Sequence, residues 1–373
     1  MNNVLKSIIK YNYWNFINKI IPFNISLFFF RIYTLSFLKK RKEGPSMKKF
    51  QKKTEDCFLL LHLGYKPVPD YVIDSIKQIR IYSNNQIIFG CTKSNYDFCK
   101  KIGDICDIVF VEDIPATNIH KKYAKKISMK GFAFWTTERF FVIEEYILNL
   151  KLKNIVHIEN DNLIYGDVHS AFKNITTGNN LTITRHNNTI CIGGIIFIPS
   201  VVAISKFTDF LTNNYAGKYI NDMDSLSVFS KISKVDYAPV VSKEYKLKHE
   251  FKSLEGEIWD RSYDISAYTG KGNTSFLFDG ASLGQFIGGV YNNSSNTQEF
   301  INKNCLYNPS FFDIHWECNE KGWEPYLFEG KKKYKIMNLH IHSKQLYKYR
   351  SDNKDLLKNI VKNNIITQNC SVL

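Results

Sequence analysis

Apolar segments alternate with segments of helical periodicity along the first half of the chain, and this alternation restricts the fold more than any other feature. Strand-like runs at 57–64, 86–92 and 107–113 are separated by helix-like segments at 70–82 and 96–103. Strands that alternate with helices through short turns form a parallel sheet covered on its faces. The sequence therefore predicts an α/β fold with a mostly parallel central sheet flanked by helices.

The 373 residues, 44% of them hydrophobic, suffice for one large α/β domain with appendages. We expect a basic aromatic leader at 1–50, the main domain at 55–350 and a C-terminal helix or tail at 351–373. The apolar run of the leader is split by Arg31 and is too short to span a bilayer. It predicts either a helix on a membrane surface or an amphipathic helix packed on the main domain.

The formal net charge of +15 favours either an anionic partner, such as nucleotide phosphates, or a solvated basic surface. Because no basic run is interleaved with aromatic residues, we expect no nucleic-acid partner. Eight cysteines without metal-ligand spacing indicate a reducing compartment, hence the cytoplasm (that of the host for a viral source) with peripheral membrane contact through the leader. The final residues 370–373 match a prenylation pattern, for which chance is the simpler explanation.

Two carboxylates follow the apolar strand at 154–159 in the segment NIVHIENDNLIYGDV. On an extended backbone, Glu159 and Asp161 share a face, where they repel each other unless a cation lies between them. Oxygen ligands of this kind suit Mg²⁺ or Mn²⁺, and ligands of parallel sheets bind at the carboxyl ends of strands. The alternative is that both side chains only cap the next turn.

This segment resembles the DxD region of glycosyltransferases with the GT-A fold. The motifs FWTTERFFVIEEYI, HIENDN, FDGASLGQFIGG and NLHIHSK are similar, in this order, to those of GT-A-like proteins found in bacteria and large DNA viruses. The resemblance spans 57–344. It implies a GT-A-like nucleotide-sugar-binding fold, a Mn²⁺ or Mg²⁺ cofactor, a UDP- or GDP-sugar donor and a glycan, protein or lipid acceptor. The first motif position is Glu159 instead of Asp, which makes Asp161 the safer metal ligand.

The resemblance also assigns roles to individual side chains. His342 would join Glu159 and Asp161 as a metal ligand, and Lys344 would contact the diphosphate of the donor. Asp224 and Asp279 would face the acceptor as candidate general bases. The remaining residues implied in donor binding are Arg139, Asn160, Gly193 and Gly194.

Most of these residues also have a structural interpretation. The segment 336–344 has the pattern of a strand with His340 and His342 on one face, and a histidine in a strand is commonly a satisfied core residue. The glycine pair suits a bend or bulge in a strand. Asp279 suits a helix cap, and Arg139 an ion pair with a neighbouring glutamate.

Together these features predict a metal-dependent glycosyltransferase that moves a sugar from a nucleotide-diphosphate sugar to an acceptor. A nucleotidyltransferase is the first alternative, although HLGYKPVPD has too little glycine for the loop that such enzymes carry after their first strand. The second alternative is a non-catalytic GT-A-like binding or scaffold protein with a degenerate metal site. The sequence does not choose between inversion and retention at the sugar.

Overall fold

The computed structural model describes residues 50–64, 66–126, 132–187, 189–214, 221–243, 266–270, 274–289, 309, 312–356 and 365–367. The predicted leader, apart from residue 50, and the terminal segment 370–373 lie outside these residues. Within the described part of the chain, no helix combines the length and the apolar composition needed to cross a membrane.

Strands and helices alternate as the sequence predicts. The strands in the described residues are β1 (Cys57–His62), β2 (Gln86–Cys91), β3 (Asp107–Phe110), β4 (Ile155–Ile158), β5 (Asn162–Ile164), β6 (Thr182–Arg185), β7 (Cys191–Ile198), β8 (Asp236–Ala238), β9 (Phe276–Leu277), β10 (Asp313–Asn319), β11 (Gly322–Glu329), β12 (Lys332–Ile336), β13 (Asn338–His340) and β14 (Ile365–Thr367). The α-helices are α1 (Tyr71–Tyr82), α2 (Tyr96–Ile102), α3 (Asn118–Ala124), α4 (Phe132–Leu150), α5 (Val168–Ile175), α6 (Val201–Asn214), α7 (Asp222–Ile232), α8 (Ser266–Thr269) and α9 (Leu283–Gly288).

Seven strands form a mostly parallel central sheet in the order β3-β2-β1-β4-β7-β6-β8. The pairs β1–β2, β2–β3 and β6–β8 are parallel, whereas β6–β7 is antiparallel. The predicted α/β fold with a mostly parallel sheet is thus confirmed. A five-stranded sheet has the order β14-β10-β11-β12-β9, and β13 pairs with β5 in a two-stranded sheet.

The chain divides into two compact units. Among the described residues, the first comprises those within 50–69, 85–155 and 198–232, and the second comprises those within 70–84, 156–197 and 233–367. In the first unit every residue of β2 is buried, as expected for a strand covered on both faces. A Cβ at Gly90 would lie 2.4 Å from Leu61 Cδ2 and 2.8 Å from Tyr146 Oη, so the packing around β2 requires a glycine there.

Aromatic side chains join the helices of the first unit. Phe140 of α4 meets Phe207 of α6 edge to face at 4.9 Å between ring centroids. Phe229 of α7 meets the same Phe207 ring at 5.1 Å. All three side chains are buried, and burial of aromatic area together with edge-to-face contact stabilises such a cluster. The aromatic residues that the sequence places on α4 therefore form core contacts.

Antiparallel hairpins in the second unit were not part of the sequence-based prediction. β10 and β11 pair from Asp313↔Phe328 to Asn319↔Gly322. Each strand contributes one buried tryptophan, Trp316 from β10 and Trp323 from β11. Glu317, which follows Trp316 in β10, forms an ion pair with Lys333 of β12. The period-2 alternation typical of such strands is present in the sequence of this region.

Three sequence-based expectations need correction. The strand predicted at 336–344 is limited to Asn338–His340: Ile336 ends β12, and after His340 the chain turns, with the Lys344 N–H donating to Ile341 O (3.0 Å) and a φ of +64° at Lys344. His342 therefore lies in a turn, outside β13. Cys318 is disulfide-bonded, which does not fit a chain with only reduced thiols. Residues 365–367 form β14 within the segment for which a helix or tail was expected.

Candidate metal site

The turn between β4 and β5 holds both carboxylates of the sequence motif. The four residues of β4 are buried, and the chain leaves the strand at Glu159, whose N–H donates to Gly194 O at 2.8 Å. The Asn162 N–H then donates to Glu159 O at 3.1 Å, which closes a tight turn through Asn160 and Asp161. The carboxylates of Glu159 and Asp161 thus come from one short segment that is fixed at both ends.

A third ligand group reaches the turn from β13. This strand pairs antiparallel with β5, with His340 opposite Asn162. His340 Nε2 lies 3.0 Å from Asp161 Oδ1 and 3.2 Å from Glu159 Oε2. Ligand atoms from the three residues all lie within 4.8 Å of one another, so the group could hold a metal ion. The pairing of β13 with β5 is what brings a residue 179 positions distant from Asp161 to the same point.

His342, the histidine chosen from the sequence as the third ligand, lies beside this group. Its ring centroid is 4.3 Å from that of His340, and Gln285 Nε2 approaches His342 Nδ1 at 3.0 Å. His340 is the histidine that faces both carboxylates. The sequence marked both histidines, but choosing between them required knowing that the strand ends at His340. A ligand role for His342 stays a prediction.

Lys344 forms an ion pair with Asp161 through its Nζ and the Oδ2 oxygen. The turn that follows β13 directs this side chain, since Lys344 has a left-handed backbone conformation and its N–H donates to Ile341 O at 3.0 Å. One carboxylate oxygen of Asp161 therefore contacts the imidazole of His340, and the other contacts the ammonium of Lys344. The resemblance in the sequence gives Lys344 the role of contacting the diphosphate of the donor, and that role stays a prediction.

Mutual charges set the ionisation of the site. Burial alone would raise the pKa of Asp161, but His340 and Lys344 hold it well below its usual value. Burial would lower the pKa of His340, whereas Asp161 and Glu159 raise it to about 10. Burial, followed by repulsion from His340, lowers the pKa of His342 to about 3. With no cation bound, the site therefore combines an imidazolium with a neutral neighbouring imidazole.

Gly194 leaves the space that the His340 ring occupies. A Cβ at Gly194 would lie 2.9 Å from His340 Nδ1 and 3.3 Å from Asn162 Nδ2, tighter than a side chain normally tolerates. Asn162 Nδ2 in turn donates to Gly194 O at 3.2 Å. Gly193, its neighbour in β7, is buried in the same strand. The predicted contact of both glycines with a donor is untested, but Gly194 has a clear structural requirement.

The donor set fits a divalent cation. Asp161 and Glu159 supply hard oxygen ligands, and His340 supplies one imidazole nitrogen. Carboxylate oxygens suit Mg²⁺ and Mn²⁺, whereas an imidazole ligand is less typical of Mg²⁺ and shifts the preference toward Mn²⁺. His340 Nδ1 is buried without a hydrogen-bond partner, so packing and the main chain, instead of an acceptor on Nδ1, fix the orientation of the ring.

Asp279, one of the two predicted bases, is 1% exposed and has both oxygens engaged. Oδ1 accepts the N–H groups of Ser282 and Leu283 at 2.7 and 2.9 Å. Oδ2 accepts those of Gly284 and His340, both at 2.8 Å. The helix-cap interpretation of Asp279 thus describes its contacts, and its role as a base stays a prediction.

The other two predicted side chains of the first unit, Asp224 and Arg139, contact residues of the same unit. Asp224 accepts a hydrogen bond from Asn221 Nδ2 at 2.7 Å and is half-buried. Arg139 donates to Asp222 Oδ2 at 2.5 Å, and both side chains are 8% exposed. The expected glutamate partners of Arg139 contact His120 instead. Nothing in these contacts tests a role in donor or acceptor binding.

No protein-family model matches the chain, and no curated protein matches it. Similar solved structures include mouse xyloside xylosyltransferase 1, at 10% identity and a TM-score of 0.38, over 51% of this chain and 86% of that one. The galactosyltransferase LgtC, solved with donor and acceptor sugar analogues, has 14% identity and a TM-score of 0.33, over 49% and 73%.

A putative glucose-1-phosphate thymidylyltransferase from Bacillus anthracis has 12% identity and a TM-score of 0.32, over 48% of this chain and 85% of that one. Glycosyltransferases thus occur among the similar structures. Likenesses at these TM-scores support no conclusion about substrate or mechanism.

Proposed function

We propose that the chain is a metal-dependent glycosyltransferase that moves a sugar from a nucleotide-diphosphate sugar to an acceptor hydroxyl. One observation carries the proposal. Two carboxylates and an imidazole from separate strands and turns place their ligand atoms within 4.8 Å of one another. Two carboxylates this close repel each other unless positive charge lies near them. With no cation bound, His340 and Lys344 supply this charge, and His340 would release its Nε2 proton to bind a cation in its place.

Asp161, Glu159 and His340 would hold a Mn²⁺ or Mg²⁺ ion, with Asp161 as the most buried carboxylate. A bound cation supplies positive charge for the diphosphate that leaves the sugar. Lys344 keeps its charge, because the attraction of Asp161 outweighs burial and raises the pKa of the ammonium. In the proposed function this ammonium adds a point charge for a phosphate oxygen.

Of the two predicted bases, Asp224 has the carboxylate with fewer hydrogen bonds to the protein. Asp279 already uses both oxygens for four main-chain N–H groups. Asp224 is half-buried, and its Oδ2 accepts a bond from Asn221. A general base must be able to take a proton from the acceptor hydroxyl. We therefore propose Asp224 as the base of an inverting reaction, whereas a retaining reaction needs none in that role.

Turnover of a donor panel tests this function. The full chain is incubated with UDP- and GDP-sugars, with and without Mn²⁺, and the nucleotide products are separated by anion-exchange chromatography. The Asp161→Asn variant is the test case. Asp167→Asn is the matched control, because Asp167 caps α5 by accepting the Ser170 N–H and has no part in the metal group.

Metal-dependent release of a nucleoside diphosphate by the wild type and by the Asp167→Asn control, but not by Asp161→Asn, supports the glycosyltransferase. Release of pyrophosphate from a nucleoside triphosphate and a sugar phosphate supports the nucleotidyltransferase instead. Binding of a donor without any product supports the non-catalytic alternative. Turnover that is equal in the Asp161→Asn variant and the wild type contradicts the proposed metal site.

A further inference from the structure

The segment from Asp279 to Gly284 leads into α9 and contacts the main chain of His340. Most helix caps bind only the first N–H groups of their own helix. Asp279 does this through Ser282, Leu283 and Gly284. Its Oδ2 also accepts the N–H of His340, 61 residues further along the chain, at 2.8 Å. One buried carboxylate thus ties the start of α9 to the residue that faces the candidate metal.

We propose that Asp279 is a positioning residue that fixes His340 for cation binding, an inference that rests on the metal site of the proposed function. The imidazole approaches the carboxylates from the last residue of β13, where the strand ends and the chain turns. Opposite residues of an antiparallel pair alternate between hydrogen-bonded and non-hydrogen-bonded positions. The Ile341 N–H bonds to Asp161 O, so the His340 N–H points away from β5, where Asp279 accepts it.

Gly284 allows this arrangement. A Cβ at Gly284 would lie 2.3 Å from His340 O and 2.6 Å from both His340 C and N, which no main chain tolerates. α9 therefore packs its main chain directly on that of His340. On the other side, Gly194 leaves room for the imidazole ring. Two glycines and one carboxylate thus define where His340 lies.

The same loop is linked to β5, the strand that follows the metal-binding turn. The Asp279 N–H donates to Asn338 Oδ1 at 3.0 Å, and Asn338 Nδ2 donates to Asn162 Oδ1 at 2.8 Å. All of these side chains are buried. Asp279 is thus connected to both sides of the candidate site, which a cap that served only α9 would not require.

Asp279→Asn changes this arrangement with little change of volume. The amide has one acceptor oxygen, so its NH₂ group must face either the Ser282 and Leu283 pair of N–H groups or the Gly284 and His340 pair. We expect Mn²⁺ affinity, measured by isothermal titration calorimetry without any donor, to fall by about tenfold or more, the usual range for loss of a group that orients a metal ligand.

Asp167→Asn is the control, since it makes the same substitution at the cap of α5, where the amide oxygen can still accept the Ser170 N–H, and leaves the His340 main chain untouched. Asp279→Asn should lower the melting temperature and weaken Mn²⁺ binding, whereas Asp167→Asn should change neither. A folded Asp279→Asn protein whose Mn²⁺ affinity stays within twofold of the wild type overturns the proposal. If this variant does not fold, Asp279→Ser applies the same test, because its single hydroxyl oxygen can still cap α9 but cannot also accept the His340 N–H; the expected loss and the refuting result are the same.

A wild type that binds no Mn²⁺ overturns the metal-dependent function, and the positioning role is then decided by hydrogen exchange. Mass spectrometry of a peptide that covers Asn338–Ile341 reports the amide that Asp279 accepts. Faster exchange at the His340 amide in Asp279→Asn, with no change in Asp167→Asn, supports the positioning of His340. Unchanged exchange contradicts it.

Discussion

A buried histidine between two carboxylates in the first unit yields a quantitative prediction about stability. His120 Nδ1 lies 2.8 Å from Glu145 Oε1, and its Nε2 lies 2.5 Å from Glu138 Oε1. The three side chains are at most 3% exposed. Glu138 and Glu145 lie seven residues apart on α4, hence on one face of the helix, and the Thr117 N–H donates to the same Glu145 oxygen at 2.8 Å.

Burial would lower the pKa of His120, but the two carboxylates raise it from 6.5 to about 9. One pKa unit corresponds to about 1.4 kcal/mol, so protonation of His120 stabilises the folded first unit by about 3 kcal/mol. Because the folded pKa is above the unfolded one, this stabilisation is complete below pH 6.5. It is lost as the pH rises from 6.5 through 9.

The assay is urea unfolding of the wild type between pH 6 and pH 10, compared with a variant that carries His120→Gln, Glu138→Gln and Glu145→Gln together. The triple variant has the same shape without the three charges, so its pH dependence represents the rest of the molecule. We expect the wild type to lose about 3 kcal/mol relative to the triple variant across this range.

A second variant makes the same test sharper. His120→Gln alone leaves two buried carboxylates without their cation, and removal of one partner of a buried ion pair costs about 3–5 kcal/mol. It should therefore be less stable than the triple variant at pH 7. The reasoning is refuted if the difference between the wild type and the triple variant is constant from pH 6 to pH 10.

Two further predictions concern single contacts. Gly194→Ala should weaken Mn²⁺ binding about tenfold, because the new Cβ would lie 2.9 Å from His340 Nδ1. Calorimetry measures this, with Gly103→Ala, whose Cβ would meet only an ordinary contact at 3.5 Å, as control. Arg139→Gln should lower the free energy of unfolding by about 3 kcal/mol, since it leaves the buried Asp222 carboxylate without its guanidinium. Urea unfolding measures this loss, and a change below 1 kcal/mol contradicts it.

The sequence predicted the α/β sheet because its signal is local. The segments that became β1 and β2 are apolar runs of strand length, and α1 has helical periodicity. Each is specified by neighbours within about ten residues. The turn after β4 was predictable for the same reason, since Glu159 and Asp161 are two residues apart.

The choice between His340 and His342 could not be made locally. It depends on the register of β13 against β5, which pairs His340 with Asn162, and on a turn at Lys344 with φ +64°. Sequence periodicity does not give the register between strands that are far apart in the chain. The sequence therefore identified the pair of histidines and predicted His342 as a metal ligand, whereas the structure places His340 beside both carboxylates.

Asp279 and Glu138 show a second limit of sequence reasoning. An aspartate before a helix suggests a cap or a base, and a glutamate beside Arg139 suggests an ion pair with it. Asp279 does cap α9, but it also accepts the N–H of His340, 61 residues away, and Glu138 contacts the ring of His120, which lies on another helix. Buried polar groups are satisfied wherever the fold brings a partner, and tertiary packing decides where that is.

The most direct test of the central claim is the binding of Mn²⁺ alone, followed by the electron paramagnetic resonance signal of free Mn²⁺. The full wild-type chain is titrated in parallel with Asp161→Asn, His340→Gln and the Asp167→Asn control. We predict one strongly bound ion per wild-type chain, the same binding in the control, and at least about tenfold weaker binding in the other two variants. Equal affinity in Asp161→Asn and the wild type, or no bound ion in the wild type, would contradict a cation site formed by Glu159, Asp161 and His340.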